Sequence, residues 1–389
     1  MTQRTTSRPL LDRPEFEGRV ERLRSAMSDA GIVAGIAAGT SYMPGDVQYL
    51  TGYDPQLESA ALLVTHDEVF VIGGPEGEAM FEDQGLLGTW RNFDAFKIPG
   101  QQYDLRFWSL EEIIIEGLGA LPEQLALLSA PNVVTWETVS TLMALGIEPV
   151  DHRELLAELR YRKTPVELEM HRFSSAIATE AMRSMIEALR PGVTELEVAA
   201  AGDATMKRLG AYATGFDTIV CSGPRIDTII GRARQRVIED GELVMLGASP
   251  RYEGYTSALG RTVVAGDSTA AQREFLDHGV AAYDRAAAAL VPGRPAREID
   301  LAARRYLEAN GLGPYHAYGV GHGIGLSECL EPRTATSISD YDMPSGVTIM
   351  LDVGLFGHPQ FFGARHEDPF LVNHRGEVEK LTDLPMRIP

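Results

Sequence analysis

The sequence predicts a two-domain α/β protein whose second half is built from a duplicated α-β unit. Three observations carry this. The chain has 389 residues, more than one hydrophobic core usually organises. Its first half alternates helix-periodic segments with short apolar runs, the pattern of layered α/β domains. Its second half repeats itself: LRPGVTELEVAAAG (189–202) is echoed by LVPGRPAREIDLAAR (290–304), and DGELVMLG (240–247) by SGVTIMLDVG (345–354). The two offsets, about 101 and 105 residues, nearly agree. Two such halves predict a pseudo-twofold domain with a central cleft.

In the first half, EFEGRVERLRSAMSDAG (15–31) has apolar residues at helical spacing and ends on a glycine, as a C-capped helix does. VAGIAA, AALLVT, EVFVIGG and LALLSA are apolar runs bounded by turn residues, which suits buried strands. DLRFWSLEEIIIEGLGAL (104–121) supplies an intervening helix. Pro165 follows Thr164, and Glu167 stands three residues beyond that cap, the signature of a new helix start. The boundary is therefore expected just before it, giving domains 1–155 and 156–389. Aligning the repeats sets Leu246 on Leu351 and Gly247 on Asp352, so one half carries a carboxylate at a strand end and the other carries nothing.

The formal net charge of −20 disfavours nucleic acid and anionic membranes as partners. The two cysteines, Cys221 and Cys329, form no CxxC pair, which fits a reducing cytoplasm. No apolar run of signal-peptide or membrane-spanning length is seen. A cytoplasmic location with no membrane partner is expected.

Chemistry concentrates in three segments of the second half. AYGVGHGIGL (317–326) sets His322 among four glycines. IMLDVG (349–354) ends an apolar run on Asp352, a group costly to bury unless paired or used. FFGARHEDPFLV (361–372) holds Arg365, His366, Glu367 and Asp368. As an exposed turn this would be a salt-bridged surface cluster; as a strand, Arg365 and Glu367 would share one face and His366 and Asp368 the other. By contrast GYTSALGRTVV (254–264) has the frame of an active-site hairpin without an acid, histidine or cysteine.

The motifs RKTPVELEMHR, LRPGVTELE, DGELVML…YEGYTSALGRTV, GVGHGIGL, SGVTIMLDVG and GARHED resemble those of the pita-bread family that includes aminopeptidase P, prolidase, methionine aminopeptidase and creatinase. VQYLTGYD (47–54) resembles the N-terminal domain of the prolidase and creatinase branch. The resemblance implies a creatinase-like N-terminal α/β domain and a C-terminal pita-bread domain. Family peptidases bind two divalent metals through two Asp, one His and two Glu. Carried over, the two Asp fall on Gly247 and Ala258, the His on His322, the first Glu on Asp352 and the last on Glu367. Hard divalent ions need oxygen donors, and a two-ion site needs bridging carboxylates. Creatinase is the metal-free branch, and GYTSALGRTV resembles its hairpin. However, creatinase's acid before the arginine is Gly260 here, and its upstream histidine falls near Ile230.

The expected enzyme is thus a creatinase-like hydrolase that needs no cofactor, cleaving a C–N bond in a small polar carboxylate-bearing metabolite; a lyase fits the same residues. His322 would serve as acid or base, with Asp352 and Glu367 beside it. Arg365 offers a planar fork for a carboxylate or phosphate. Tyr255, His316, Arg232 and Tyr318 complete the expected substrate-binding set, with Arg234 and Cys329 as weaker candidates. The alternatives are a hydrolase or lyase with one divalent metal on His322, Asp352 and Glu367, and a silent binding protein. The resemblance also implies a homodimer, with residues near Tyr53 and Glu58 approaching the partner's cleft.

Overall fold

The computed structural model describes residues 8–85 and 87–388, and the side chains of all of these except 328–330. It divides into two compact units, Leu11–Arg160 and a second that runs on from Tyr161.

The first unit contains helices α1 (Arg13–Asp29), α2 (Gly45–Thr51), α3 (Pro75–Gln84), α4 (Leu110–Leu118), α5 (Trp136–Ala144) and α6 (Arg153–Tyr161). Strands β1 (Ala34–Gly39), β2 (Ala60–Thr65), β3 (Val69–Gly73), β4 (Thr89–Asn92), β5 (Gln124–Leu127) and β6 (Glu148–Asp151) form one mixed sheet in the order β4-β3-β2-β1-β5-β6. The apolar runs read from the sequence are its central strands. Ile36, Leu63, Phe70 and Ile72 pack there with Leu110, Ile113 and Ile114 of α4.

The second unit begins with α7 (Pro165–Ala188). Thr164 accepts from the Glu167 amide while the Glu167 carboxylate accepts from the Thr164 amide, so the capping box is formed as the sequence indicates. It continues with α8 (Glu195–Leu209), β7 (Ala213–Thr214), β8 (Ile219–Ser222), β9 (Leu243–Ala248), β10 (Pro250–Tyr252), β11 (Tyr255–Thr256) and β12 (Leu259–Val264). Then come α9 (Ala270–Ala289), α10 (Arg297–Ala309), β13 (Gly321–Ile324), β14 (Glu328–Ala335), β15 (Val347–His358), β16 (Phe362–Val372) and β17 (Val378–Lys380). The repeat therefore appears as two helix pairs, each followed by strands. One detail differs: α8 has a capping box on Thr194, whereas Ala296 before α10 offers no side-chain cap, and its amide instead donates to the Tyr341 carbonyl.

An antiparallel sheet runs β14-β13-β15-β16-β12-β9-β8, with β17 on β16. Its register sets Asp352 opposite Glu367, Glu367 opposite Gly260, and Gly260 opposite Gly247. Directly opposed residues share a face. One rank across four strands is thus acidic at β15 and β16 and bare at β12 and β9. The GARHED segment is strand, not turn, and all its side chains are buried. His366 and Asp368 face away from this rank toward α9. Asp368 there accepts from Tyr283 and pairs with Arg261 at 2.6 Å, both partners being 0% exposed. A Cβ on Gly279 of α9 would lie 2.2 Å from His366 Nε2, so this helix position accepts no larger residue without a shift.

Candidate metal and substrate site

His322 stands opposite Met350, two residues before Asp352, so period-two alternation puts His322 on the face of the acidic rank. Its Nδ1 lies 3.1 Å from the Gly323 carbonyl. A carbonyl only accepts, so Nδ1 carries a proton there and Nε2 is the ring atom turned toward the acids. Nε2 is 3.7 Å from Glu367 Oε1. One ligand-capable atom from each of His322, Asp352 and Glu367 lies within 4.8 Å of the other two.

Two residues before Glu367 on the same strand, Arg365 projects onto the same face. Its Nε is 3.5 Å from Asp352 Oδ1, and its terminal nitrogen donates to the Tyr318 hydroxyl at 3.2 Å. That hydroxyl in turn donates to Asp352 Oδ2 at 2.9 Å. Tyr318 reaches this position because residue 354 is glycine: a Cβ there would be 2.3 Å from the tyrosine oxygen. Asp352 is therefore tied at one oxygen, while Asp352 Oδ1, Glu367 Oε2 and Arg365 Nε are buried without a hydrogen-bond partner.

Burial raises the Asp352 pKa to about 6, with the Glu367 charge adding to it and Arg365 opposing. For Glu367 burial also acts upward, but the His322 hydrogen bond and the Arg365 charge outweigh it and hold the carboxyl below its ordinary range. The two acids thus differ: Glu367 is the settled carboxylate and Asp352 the strained one.

The other expected residues lie elsewhere. Tyr255 is fully buried, and its hydroxyl donates to Glu167 of α7, so it ties the hairpin to that helix instead of joining the cluster. His316 is buried between Asp300 (3.3 Å) and the Gly354 carbonyl (3.2 Å). Arg232 is on an exposed loop, paired with Asp217. Arg234 is exposed there too, its amide bonded to Glu195. The Cys329 side chain lies outside the described residues. Sequence reasoning passed over Asp300, which is fully buried and accepts from His316, Val320 N, Ser337 N and Arg304. Burial acts upward on its pKa, but these donors hold it low. Asp300 fixes residues 316–320 and so sets Tyr318 over Asp352.

Residues 169–374 match the model of metallopeptidase family M24. The chain belongs to metallopeptidase family M24. The pita-bread fold and hydrolase class expected from the sequence are those of this family. A Xaa-Pro dipeptidase of Pyrococcus furiosus is 35% identical over 232 residues; the match spans 59% of this chain and 65%, just under two thirds, of that relative. The Xaa-Pro dipeptidase of Bacillus anthracis superposes with a TM-score of 0.79 at 26% identity, covering 96% of this chain and 99% of that one. The prolidase of Pyrococcus horikoshii gives 0.81 at 24% identity, covering 95% and 99%, a likeness of fold.

Family membership overturns the cofactor-free site expected from the sequence: the M24 fold is a metallopeptidase fold. The missing aspartates remove two donors, but the remaining three still converge. They fit one divalent ion, offering an imidazole nitrogen and two buried carboxylate oxygens that accept no hydrogen bond. They do not fit two. Gly247 supplies no donor, and Ala258 is packed in an apolar cluster with Ile324, Met350 and Phe216.

Proposed function

We propose that this M24 member is a metal-dependent hydrolase that holds one divalent cation on His322, Asp352 and Glu367 and cleaves a C–N bond in a small carboxylate-bearing substrate. The observation that carries the proposal is the convergence of three ligand atoms within 4.8 Å, with two buried carboxylate oxygens that accept no hydrogen bond. A divalent ion in such a site supplies Lewis acidity and a bound water of lowered pKa. The chain's own residues supply the rest. Gly323 fixes the His322 tautomer. Tyr318 holds Asp352 to one oxygen, and Arg365 supplies a positive edge that offsets the two acids and faces incoming negative charge.

The names of the relatives select the first substrates to try, dipeptides with C-terminal proline, alongside N-acyl amino acids. Purified protein is stripped with chelator and assayed for release of the free amine before and after adding Mn²⁺, Co²⁺ or Zn²⁺. Turnover restored by metal and lost in Asp352→Asn supports the proposal. Turnover indifferent to chelator, or unaffected by Asp352→Asn, overturns it. The proposal includes a cytoplasmic homodimer, tested by light scattering at micromolar concentration. Among the described residues no helix is long and apolar enough to cross a membrane.

A further inference from the structure

The hairpin that lacks acids carries a different group. The pairings Gly260–Gly247, in β12 and β9, and Thr256–Arg251, in β11 and β10, keep the same offset on either side of a break at 249 and 257–258, which the Ser257 amide bridges to the Pro250 carbonyl, so Ala258 falls opposite Ser249. Gly247, Ser249, Arg251, Thr256, Ala258 and Gly260 therefore share one face, the face of the acidic rank. The opposite face belongs to α7. Tyr252 stacks on Phe173, Tyr255 bonds to Glu167, and the Ser257 hydroxyl bonds to that of Ser175.

On the rank's face Arg251 is only 6% exposed, and its Nε is sealed with no acceptor. Among the described residues it makes no side-chain hydrogen bond and no ion pair. Two residues away, the Ser249 hydroxyl is fully buried and also without a partner. A buried guanidinium without a counter-charge is costly and contributes nothing to folding. A donor fork and a hydroxyl left open on the same face match one ligand class, a carboxylate. Four residues of extended chain separate Arg251 from Gly247, roughly 13 Å along the strand.

We infer that Arg251 and Ser249 form an anion subsite that binds a second, remote carboxylate of the substrate, roughly 13 Å along the strand from Gly247, the bare end of the rank that carries Asp352 and Glu367. The inference rests on the proposed function only for the word substrate; the subsite itself is a property of the hairpin. It leaves a carboxylate beside the scissile bond to Arg365 and favours substrates that carry a further carboxylate well away from the group at the cluster.

The test uses 3-bromopropionate, a carboxylate whose bromine is located by anomalous scattering, soaked into crystals of the full chain and titrated calorimetrically in solution. The expected result is a carboxylate on Arg251 and Ser249, with affinity at least tenfold lower in Arg251→Met and severalfold lower in Ser249→Ala. Thermal unfolding in anion-poor buffer separates binding from structure: Arg251→Met is expected to match or exceed the parent Tm, since it removes an unpaired buried charge. A Tm several degrees lower, a carboxylate seated only on Arg365, or unchanged affinity in Arg251→Met overturns the inference. None of these readouts requires turnover or metal, so a failed activity assay leaves this result standing on its own.

Discussion

Replacing His366 with leucine gives the most quantitative test of how the second unit is packed. His366 is 1% exposed, and neither ring nitrogen has a hydrogen-bond partner. Burial, aided by the Arg261 charge, holds its pKa down at about 3, against an ordinary value of 6.5. As pH falls, the unfolded chain takes up this proton near 6.5 while the folded chain refuses it until near 3. Stability is therefore fully present above pH 6.5 and drains away as pH falls toward 3. Between pH 7 and pH 5 the loss from this residue is about 2 kcal/mol. The substitution His366→Leu removes the titration and two orphaned polar atoms together. At pH 7 the variant should be at least as stable as the parent, and its loss between pH 7 and 5 should be smaller by about 2 kcal/mol. Urea unfolding in chelator-containing buffer at the two pH values measures this. Trp90, Trp108 and Trp136 all lie in Leu11–Arg160. Fluorescence thus follows that unit, circular dichroism follows both, and the transition seen by dichroism alone is the one that matters. Equal pH sensitivity in parent and variant would refute the reasoning.

Three further outcomes follow from the same geometry. Arg261→Met leaves Asp368 buried without its guanidinium partner and frees the carbonyls of Gly260, Glu367, Leu384 and Pro385; about 3–5 kcal/mol of stability should be lost, read by denaturant unfolding. Tyr318→Phe should weaken Co²⁺ binding by about 10–100-fold while shifting Tm little, measured by calorimetric titration, because it releases Asp352 Oδ2 without touching a ligand atom. Gly354→Ala should reproduce the Tyr318→Phe loss of affinity and also lower Tm, since its Cβ meets both the Tyr318 hydroxyl and the Phe356 ring; an unchanged Co²⁺ affinity would count against the role given to Tyr318.

Much of this fold could be read before the structure because its signals are local. Thr164, Pro165 and Glu167 announce α7 within four residues, and the apolar runs of the first unit need only their own length and borders. The repeat went further: setting Gly247 on Asp352 foretold that one would be bare where the other is acidic, and the register puts both in a single rank. What failed was anything set by a distant partner. Tyr255 looks like a rim residue until Glu167, 88 positions earlier, takes its hydroxyl. His316 looks available until Asp300 and the Gly354 carbonyl enclose it. Arg251 was passed over although alternation along GASPRYEGYTSALG already puts it on the face of Gly247; the signal was there, but only burial exposes a cation without a counter-ion. The missing donors at Gly247 and Ala258 are visible in the sequence and point to a cofactor-free site, whereas the convergence of His322, Asp352 and Glu367 depends on strand pairings that the sequence does not show.

Metal stoichiometry tests the central claim most directly. Protein stripped with chelator, loaded with Mn²⁺ or Co²⁺, dialysed and analysed for metal content should hold one ion per chain, falling to none in His322→Ala and in Asp352→Asn. Two ions per chain, or one ion retained in both variants, would contradict the single-ion site built on His322, Asp352 and Glu367.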